Sequence, residues 1–319
     1  MSAACRLGDI LPAGVAAPDV ARELTVTGLA LDSRAVKPGF VFAALPGVTT
    51  HGKAFIKAAM EAGAAAILAE RGTIASVPVL EADDPRLALA QMAARFSPAQ
   101  PACIAAITGT NGKSSTVEFL RQIWQAAGHE AAALGTLGVT RSSGRTDVGY
   151  TTPDAIALHA ALDALTGEGV THLAMEASSH GLKQRRMDGA KIALAGFSNL
   201  TQDHLDYHPD FEDYFASKMR LFDELLPEGA PAVITVDSEW GEAVVRRAEA
   251  RRQQIFTIGW NGRDIQLKEI TPHAACQHVR FVHAGKERSL TLPLMGEFQA
   301  SNAFQAAGMA ISSGVEADT

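Results

Sequence analysis

The chain alternates short apolar runs with segments whose apolar residues recur every three or four positions, a pattern that predicts an α/β fold. In the first hundred residues the pattern predicts a small α/β unit, with strands at 26–31, 41–45, 64–70 and 77–80 and helices at 54–62 and 85–96. Pro85 suits the first turn of the second helix, where its missing N–H leaves no hydrogen bond unmade.

A polar segment with two prolines, residues 96–102, separates this unit from the rest of the chain. Beyond it, strands and helices alternate, which predicts a mostly parallel, doubly wound sheet. We expect strands at 103–107, 131–134, 170–177, 192–200, 232–236 and 255–258, and helices at 116–122, 153–165, 214–226, 240–251 and 298–312. Residues 265–294 change to a period of two, which predicts an antiparallel β extension. The predicted domains are therefore residues 1–98 and 99–319.

Composition adds limits on the class of protein. A hydrophobic content of 47% with 20% charged residues is ordinary for a soluble protein, and the net charge of −7 argues against general nucleic-acid binding. The three cysteines lack metal-like or disulfide-like spacing, which favours a reducing compartment. Residues 1–17 do not resemble a signal peptide, and no apolar run reaches the roughly 20 residues of a membrane span. We expect a cytoplasmic monomer that binds neither nucleic acid nor membranes.

The most informative stretch joins a buried strand to a helix through small residues, Thr108-Gly109-Thr110-Asn111-Gly112-Lys113-Ser114-Ser115. Such a turn aims backbone N–H groups and a helix N-terminus at one point, which suits a polyphosphate. Lys113 would lie along the β and γ phosphates, and the Ser114 hydroxyl could ligate Mg²⁺. The spacing is a shortened Gly-x-x-Gly-Lys-Ser, because position 107 is Ile. The alternative is an ordinary strand–turn–helix corner with an exposed lysine.

Ionisable residues follow two later strands of the predicted sheet. Glu176 stands where an apolar strand ends, at the edge where ligands of doubly wound folds bind, and it could hold Mg²⁺ or be capped by loop N–H groups. One strand later, four ionisable residues crowd a single loop, Asp203, His204, Asp206 and His208. Lys218 falls inside a predicted helix, where the pattern alone predicts a solvated side chain.

Two polar loops of the first unit, residues 32–39 and 46–52, follow neighbouring strands and contain glycine and proline. Because neighbouring strand ends lie together, these loops could form the rim of a binding pocket. They could equally be two ordinary turns, and the pattern does not decide between these interpretations.

Taken together, the motifs resemble those of the Mur ligases, most closely the members that add a diamino acid to UDP-N-acetylmuramoyl-L-alanyl-D-glutamate. The resemblance runs from residue 31 to about residue 308. It rests on the loop at residues 108–115, hereafter the phosphate loop, and on the segment around Lys218. Three further motifs support it, Tyr150-Thr151-Thr152-Pro153, Met175-Glu176-Ala177-Ser178-Ser179-His180-Gly181-Leu182 and the segment 199–208. Asp32-Ser33-Arg34 and the loop at 42–52 resemble the uridine-binding first domain of those members.

The resemblance implies a role for each matching residue. The catalytic residues would be Lys113, Glu176, His204 and Lys218. ATP would contact Gly109, Thr110, Asn111, Gly112, Lys113, Ser114, Ser115 and Asn302. The UDP precursor would contact Leu31, Ser33, Val48, Thr49, Thr50, Tyr150, Thr151, Thr152, Ser178, Gln184 and Arg186. Ser114 and Glu176 would hold one Mg²⁺, and His204 would bind a second Mg²⁺ that Lys218, as a carbamate, helps to hold.

The implied reaction is ATP-dependent amide formation in peptidoglycan precursor synthesis. The D-glutamyl side-chain carboxylate would attack the γ-phosphate, and the amine of meso-diaminopimelate or L-lysine would displace phosphate from the acyl phosphate. Family members carry a third, amino-acid-binding domain beyond the point that corresponds to Thr319, so we expect this chain alone to bind the precursor without completing ligation. Two rival hypotheses are a folylpolyglutamate-synthase-like ligase and a non-catalytic UDP-sugar-binding protein.

Overall fold

A computed structural model describes residues 4–47, 50–146, 151–201 and 208–318. The chain divides into two compact units. The first contains residues 1–100 and two later segments, 154–164 and 184–190, and the second contains the remainder. Within the described ranges, no helix is both long enough and apolar enough for a membrane crossing.

The first unit is built on a four-stranded parallel sheet with the strand order β3-β4-β5-β6. Its strands are β1 (Cys5–Arg6), β2 (Thr25–Val26), β3 (Gly28–Ala30), β4 (Phe40–Ala43), β5 (Ala66–Glu70) and β6 (Val79–Ala82), of which β1 and β2 form a separate antiparallel pair. Its helices are α1 (Leu7–Ile10), α2 (Asp19–Arg22), α3 (Ile56–Glu61) and α4 (Pro85–Phe96), with 3-10 helices at Ser33–Ala35 and Gly52–Phe55.

Both faces of this sheet are buried, which explains why its strands read as continuous apolar runs. Successive side chains of a strand point to opposite faces. In β4, Val41 and Ala43 join a core cluster that includes Leu89 of α4, whereas Phe42 joins a second cluster with Ile56 of α3. The predicted helix at 85–96 is confirmed, because α4 has these bounds. It begins at Pro85 because the Asp84 carboxylate accepts the backbone N–H groups of Arg86 and Leu87.

The second unit is built on an eleven-stranded sheet with the order β10-β9-β8-β11-β7-β12-β13-β14-β15-β16-β17. These strands are β7 (Cys103–Thr108), β8 (Ala131–Gly135), β9 (Gly138–Arg141), β10 (Gly144–Thr146), β11 (His172–Glu176), β12 (Ile192–Phe197), β13 (Pro231–Thr235), β14 (Gln254–Gly259), β15 (Ile265–Pro272), β16 (Gln277–His283) and β17 (Lys286–Leu292). The strands from β8 to β15 in this order are parallel, and β16 and β17 extend the sheet in antiparallel fashion. The predicted fold class is confirmed, and β9 and β10 add an antiparallel hairpin that the sequence pattern did not predict.

The helices that follow are α5 (Lys113–Ala126), α6 (Ala155–Gly167), α7 (Ser179–Lys183), α8 (Phe211–Arg220), α9 (Glu239–Ala250) and α10 (Glu297–Ser312), with a π-helical turn at Leu221–Leu225. Helices α5 and α10 contribute Trp124 and Met309 to one core on the sheet, and Trp124 Nε1 donates to Ser313 Oγ at 2.8 Å. Strand β7 lies between β11 and β12, so the strand order reverses at this strand. Ligands of doubly wound folds bind at the carboxyl end of such a switch point.

Two histidine rings stack at the opposite, amino end of the same sheet. The rings of His172 and His129 lie 4.0 Å apart, and Trp124 packs on His172 at 5.0 Å. Burial, and secondarily the charge of His129, lower the pKa of His172 to about 4. The unfolded chain binds a proton to this imidazole near pH 6.5, so acid favours the unfolded chain between about pH 6.5 and about pH 4.

We therefore expect the stability that His172 contributes to be complete above pH 6.5 and to fall progressively as the pH is lowered to about 4. The measurement is urea unfolding of the wild type and of His172→Gln at a series of pH values. The difference in free energy of unfolding between the wild type and His172→Gln should become smaller as the pH is lowered. The exposed His273 provides the control, because His273→Gln should leave the pH profile of the wild type in place. A wild-type profile that His172→Gln reproduces would contradict the expectation.

Candidate active site

The loop between β7 and α5 is shaped by two glycines. Gly109 has φ +148° and Gly112 has φ +86°, a region that other residues rarely adopt. A Cβ on Gly109 would lie 2.0 Å from Ser198 Oγ, and one on Gly112 would lie 2.0 Å from Asn302 Oδ1. The conformation favours glycine at both positions, and a Cβ at either would force the side chain of Ser198 or Asn302 to move.

The segment after β12 holds this loop in place. The backbone N–H of Thr110 donates to the Asn199 carbonyl at 2.9 Å, and that of Asn111 donates to Asn199 Oδ1 at 3.0 Å. Ser198 Oγ donates to the Asn111 carbonyl at 2.8 Å, and the Thr201 N–H donates to Thr110 Oγ1 at 3.0 Å. The loop conformation is thus determined by contacts within the protein.

Two lysines converge on the loop carbonyls. Lys113 Nζ donates to the carbonyls of Gly109 at 3.0 Å and Thr110 at 2.8 Å. Lys218 Nζ, on α8, donates to the same Gly109 carbonyl at 2.8 Å and lies 4.3 Å from the centre of the Tyr214 ring. The expectation of a solvated Lys218 is wrong, because this side chain is only 2% exposed.

Glu176, the last residue of β11, contacts Ser114, which follows Lys113 at the start of α5. Its carboxylate is 1% exposed and accepts from Ser114 Oγ at 2.8 Å, from the Thr136 N–H at 2.8 Å and from Thr136 Oγ1 at 3.3 Å. Gly135 allows this approach, since a Cβ there would lie 2.0 Å from Glu176 Oε1. Three donors thus compensate for the burial of a charge.

The chemistry of these donors fits Mg²⁺, a hard cation that prefers oxygen ligands. The described residues contain no group of three or more His, Cys, Asp or Glu side chains that could hold a metal. A cation held by Ser114 and Glu176 would therefore complete its shell with water and phosphate oxygens, as Mg²⁺ commonly does. His204, another predicted ligand, lies outside the described residues.

A cavity of about 700 Å³ opens beside the loop, a size that suits a small-molecule ligand. It is lined by Asn111, Gly112, Ser115, Asn199, Asp237, Trp260, Leu267, Ile270, Glu297, Phe298, Ser301 and Asn302. One of these residues, Asn302, is a predicted ATP contact, and its Nδ2 donates to Gln299 Oε1 at 3.2 Å. The sequence pattern missed Trp260 and Phe298, which give the cavity aromatic surfaces. Burial raises the pKa of Asp237 on the same wall.

Predicted substrate residues of the second unit form a hydroxyl cluster beside Glu176. Thr152 Oγ1 donates to the Glu176 carbonyl at 3.0 Å and lies 3.0 Å from Ser178 Oγ. Thr151 Oγ1 lies 3.0 Å from Thr136 Oγ1, which itself bonds to Glu176. The structure thus brings Thr151, Thr152 and Ser178 together, whereas Tyr150 lies outside the described residues.

The first unit contains a separate cavity of about 160 Å³, lined by Leu31, Leu45, Arg86, Leu89, Asp154, Ala155, Gln184 and Arg186. It brings together three predicted precursor contacts, Leu31, Gln184 and Arg186. Ser33 and Thr50 are not among its described lining residues. Val48 and Thr49 lie outside the described ranges.

Comparisons with known proteins agree over most of the chain. The sequence model of the Mur ligase middle domain matches residues 107–310, and that of the Mur ligase family catalytic domain matches residues 25–97. The UDP-N-acetylmuramoyl-L-alanyl-D-glutamate–2,6-diaminopimelate ligase of Chelativorans sp. (strain BNC1) is 49% identical over 97% of this chain and 64% of its own length. The protein of the same name from Bradyrhizobium diazoefficiens is 47% identical over 98% of this chain and 65% of its own length.

A solved structure described by the same ligase name is also similar. It superposes with a TM-score of 0.86 at 28% identity and covers 99% of this chain and 65% of its own chain. The chain therefore spans about 64–65% of the length of these relatives.

Proposed function

The chain belongs to the Mur ligase family, and from this premise we propose that it forms the ATP-binding and UDP-precursor-binding part of a peptide ligase. The ligase would join a diamino acid to UDP-N-acetylmuramoyl-L-alanyl-D-glutamate in peptidoglycan precursor synthesis. The names of the relatives favour diaminopimelate as the diamino acid. The single observation that carries the proposal is the convergence of Lys113, Lys218 and the Ser114–Glu176 contact on one loop at the switch point of the sheet.

We propose that the polyphosphate of ATP lies against this loop and the start of α5, where backbone N–H groups favour negative charge. Lys113 would exchange its bonds to the two loop carbonyls for bonds to phosphate oxygens. The nucleoside would occupy the 700 Å³ cavity, with Asn302 and the faces of Trp260 and Phe298 near the base. Base–aromatic contacts are favourable and suit this composition of the wall.

The proposed reaction brings anions together, so its main requirement is electrostatic. The substrate carboxylate approaches a phosphate group, and positive charge that is fixed before the reaction stabilises the transition state. Lys113 would supply such charge, while Ser114 and Glu176 would hold a Mg²⁺ that shields the phosphate oxygens. The hydroxyl cluster of Thr151, Thr152 and Ser178 would orient the muramoyl dipeptide beside them.

Calorimetric titration tests the two binding sites directly. The wild type should bind ATP in an Mg²⁺-dependent manner and should bind the UDP-muramoyl dipeptide in preference to a folate. Glu176→Gln keeps the size of the side chain but removes its charge, so we expect the Mg²⁺-dependent part of the ATP affinity to fall at least about tenfold.

The matched control is Glu168→Gln, which removes a half-exposed carboxylate that pairs with Arg141 at 2.9 Å. This variant should keep the wild-type affinity and its Mg²⁺ dependence. If the wild type bound ATP equally well with and without Mg²⁺, the proposed metal role of Glu176 would be wrong. A preference for folate would favour the folylpolyglutamate-synthase-like alternative.

We propose further that Lys218 is carbamylated. The ammonium of Lys218 first loses one proton, and the uncharged Nζ then forms a bond to the carbon of CO₂ and loses a second proton. The two steps together convert a cation into an anion. A carbamate keeps one N–H on Nζ, so the bond to the Gly109 carbonyl is compatible with it. The resulting oxygens would supply hard ligands for a second Mg²⁺, apart from the one at Ser114 and Glu176.

Carbon NMR in ¹³C-labelled bicarbonate should show a carbamate resonance in the wild type that Lys218→Arg lacks. Lys183→Arg serves as the control, since Lys183 is a half-exposed lysine of the same unit that pairs with Asp213 at 2.7 Å. This control should keep the resonance. A spectrum without the resonance in the wild type, or one that Lys218→Arg leaves unchanged, would exclude the modification.

A further inference from the structure

Arg185 adopts a backbone conformation that arginine rarely takes. Its φ is +57°, in the left-handed region, two residues after α7 ends at Lys183. Glycine is the usual residue at such a position after a helix. The Asp188 N–H donates to the Arg185 carbonyl at 3.3 Å and closes a turn. An unfavourable conformation of this kind persists only where surrounding contacts stabilise it.

The side chain of Arg185 makes those contacts with two carboxylates of the first unit. Its Nε lies 2.5 Å from Asp84 Oδ2, and its Nη1 lies 3.1 Å from Asp188 Oδ1. The planar guanidinium can hold two carboxylates at once, which a lysine ammonium does less well. Asp84 also caps α4 through its other oxygen. Arg185 therefore connects the turn to the start of α4.

The residues on either side of Arg185 in the sequence line a cavity of the first unit. Gln184 and Arg186 both line the 160 Å³ cavity, together with Arg86 and Leu89 of α4. They also contact each other, since Arg186 Nη2 donates to Gln184 Oε1 at 2.8 Å. The turn lies close to α4, because a Cβ on Gly189 would approach Ala94 Cβ to 2.8 Å.

We infer that Arg185 is a positioning residue for the UDP-precursor site: through Asp84 and Asp188 it fixes the turn that presents Gln184 and Arg186 to the cavity. The inference rests on the proposed function, in which this chain binds the UDP precursor, and on the family resemblance, which implies that Gln184 and Arg186 contact that precursor. Arg185 itself is not among the described residues that line the cavity. Its contribution is the relative placement of its two neighbours.

Calorimetry with Arg185→Gly tests this role, because glycine accepts the left-handed backbone and removes the side chain that pairs with Asp84 and Asp188. We expect the affinity for the UDP-muramoyl dipeptide to fall about tenfold, while the affinities for UDP alone and for ATP change less than twofold. Arg185→Lys keeps the positive charge but loses the planar guanidinium, so its affinity for the UDP-muramoyl dipeptide should fall about threefold. This variant provides the same test if the glycine variant does not fold.

The matched control is Arg252→Gly. Arg252 is also an arginine with a left-handed backbone, at φ +52°, and pairs with Glu228 at 3.2 Å in the second unit. This control should bind the precursor like the wild type. Unchanged precursor affinity in the Arg185 variants would overturn the inference, and so would an equal loss for the precursor and UDP, since that would indicate general damage. A wild type that fails to bind the precursor would instead refute the proposed function.

Discussion

Replacing Lys113 by methionine should lower the affinity for Mg²⁺-ATP by about 10- to 100-fold, because the variant keeps the length of the side chain and loses its charge-assisted bonds to phosphate. Lys113 Nζ lies against the carbonyls of Gly109 and Thr110, so the cation is already located at the loop before any ligand arrives. On phosphate binding this side chain would only exchange its two bonds to carbonyls for bonds to phosphate oxygens, so the loss of its charge should have a large effect.

Calorimetric titration of ATP in the presence of Mg²⁺ measures this effect. Lys57→Met is the control, because Lys57 is an exposed lysine whose Nζ lies 3.9 Å from a Glu61 oxygen on the same turn of α3. The control should bind ATP like the wild type. An affinity of Lys113→Met within threefold of the wild type would show that Lys113 has no role in phosphate binding.

Replacing Gly112 by alanine should be far more damaging than the same change at Gly128. The two glycines flank α5 and have nearly equal φ values, +86° and +88°, so both variants incur the same backbone cost of about 1–2 kcal/mol. Only at Gly112 would the new Cβ meet an atom, Asn302 Oδ1 at 2.0 Å, whereas nothing lies within 4 Å of the corresponding position at Gly128. Overpacking should therefore cost Gly112→Ala about 1–3 kcal/mol more.

Urea unfolding of the two variants gives the difference in free energy, and ATP titration should show at least a tenfold loss for Gly112→Ala alone. Combining Gly112→Ala with Asn302→Ala should recover part of the lost stability, because the clashing side chain is removed. The ATP affinity should stay low in that double variant, since Asn302 lines the cavity of about 700 Å³ that we propose for the nucleoside. Equal destabilisation at both glycines would contradict this explanation.

Local signals in the sequence were sufficient to predict the strand, the loop and the helix around Lys113. Apolar runs, glycines and a helical pattern act over a few residues, and the carboxyl ends of parallel strands share one edge of a sheet. For this reason the sequence also predicted that Glu176 would stand at the edge that carries the loop. The contact between Glu176 and Ser114 joins residues 62 positions apart, which only the strand order explains.

The surroundings of Lys218 could not be predicted in this way. A lysine in an amphipathic helix is normally solvated, and its burial here depends on a carbonyl 109 positions earlier and on the Tyr214 ring. The same holds for the segments 154–164 and 184–190, which pack within the first unit although they follow the phosphate loop in sequence. A local pattern shows that a helix has an apolar face, but it does not show which core that face joins.

The aromatic residues on the wall of the 700 Å³ cavity were missed because no motif marks them. Trp260 follows Gly259, the last residue of β14, and Phe298 is an exposed residue in the first turn of α10. An aromatic residue directly after a predicted strand at the ligand edge was the available signal. Single positions of this kind become informative only when the strand order is known.

The bonds between the phosphate loop and residues 198–201 have a consequence for the speed of ligand capture. The N–H groups of Thr110 and Asn111 are held by Asn199, so the conformational entropy of this turn is lost during folding. A nucleotide then meets a rigid surface and does not have to order it at each encounter. Capture should accordingly proceed in one kinetic phase whose rate rises in proportion to nucleotide concentration.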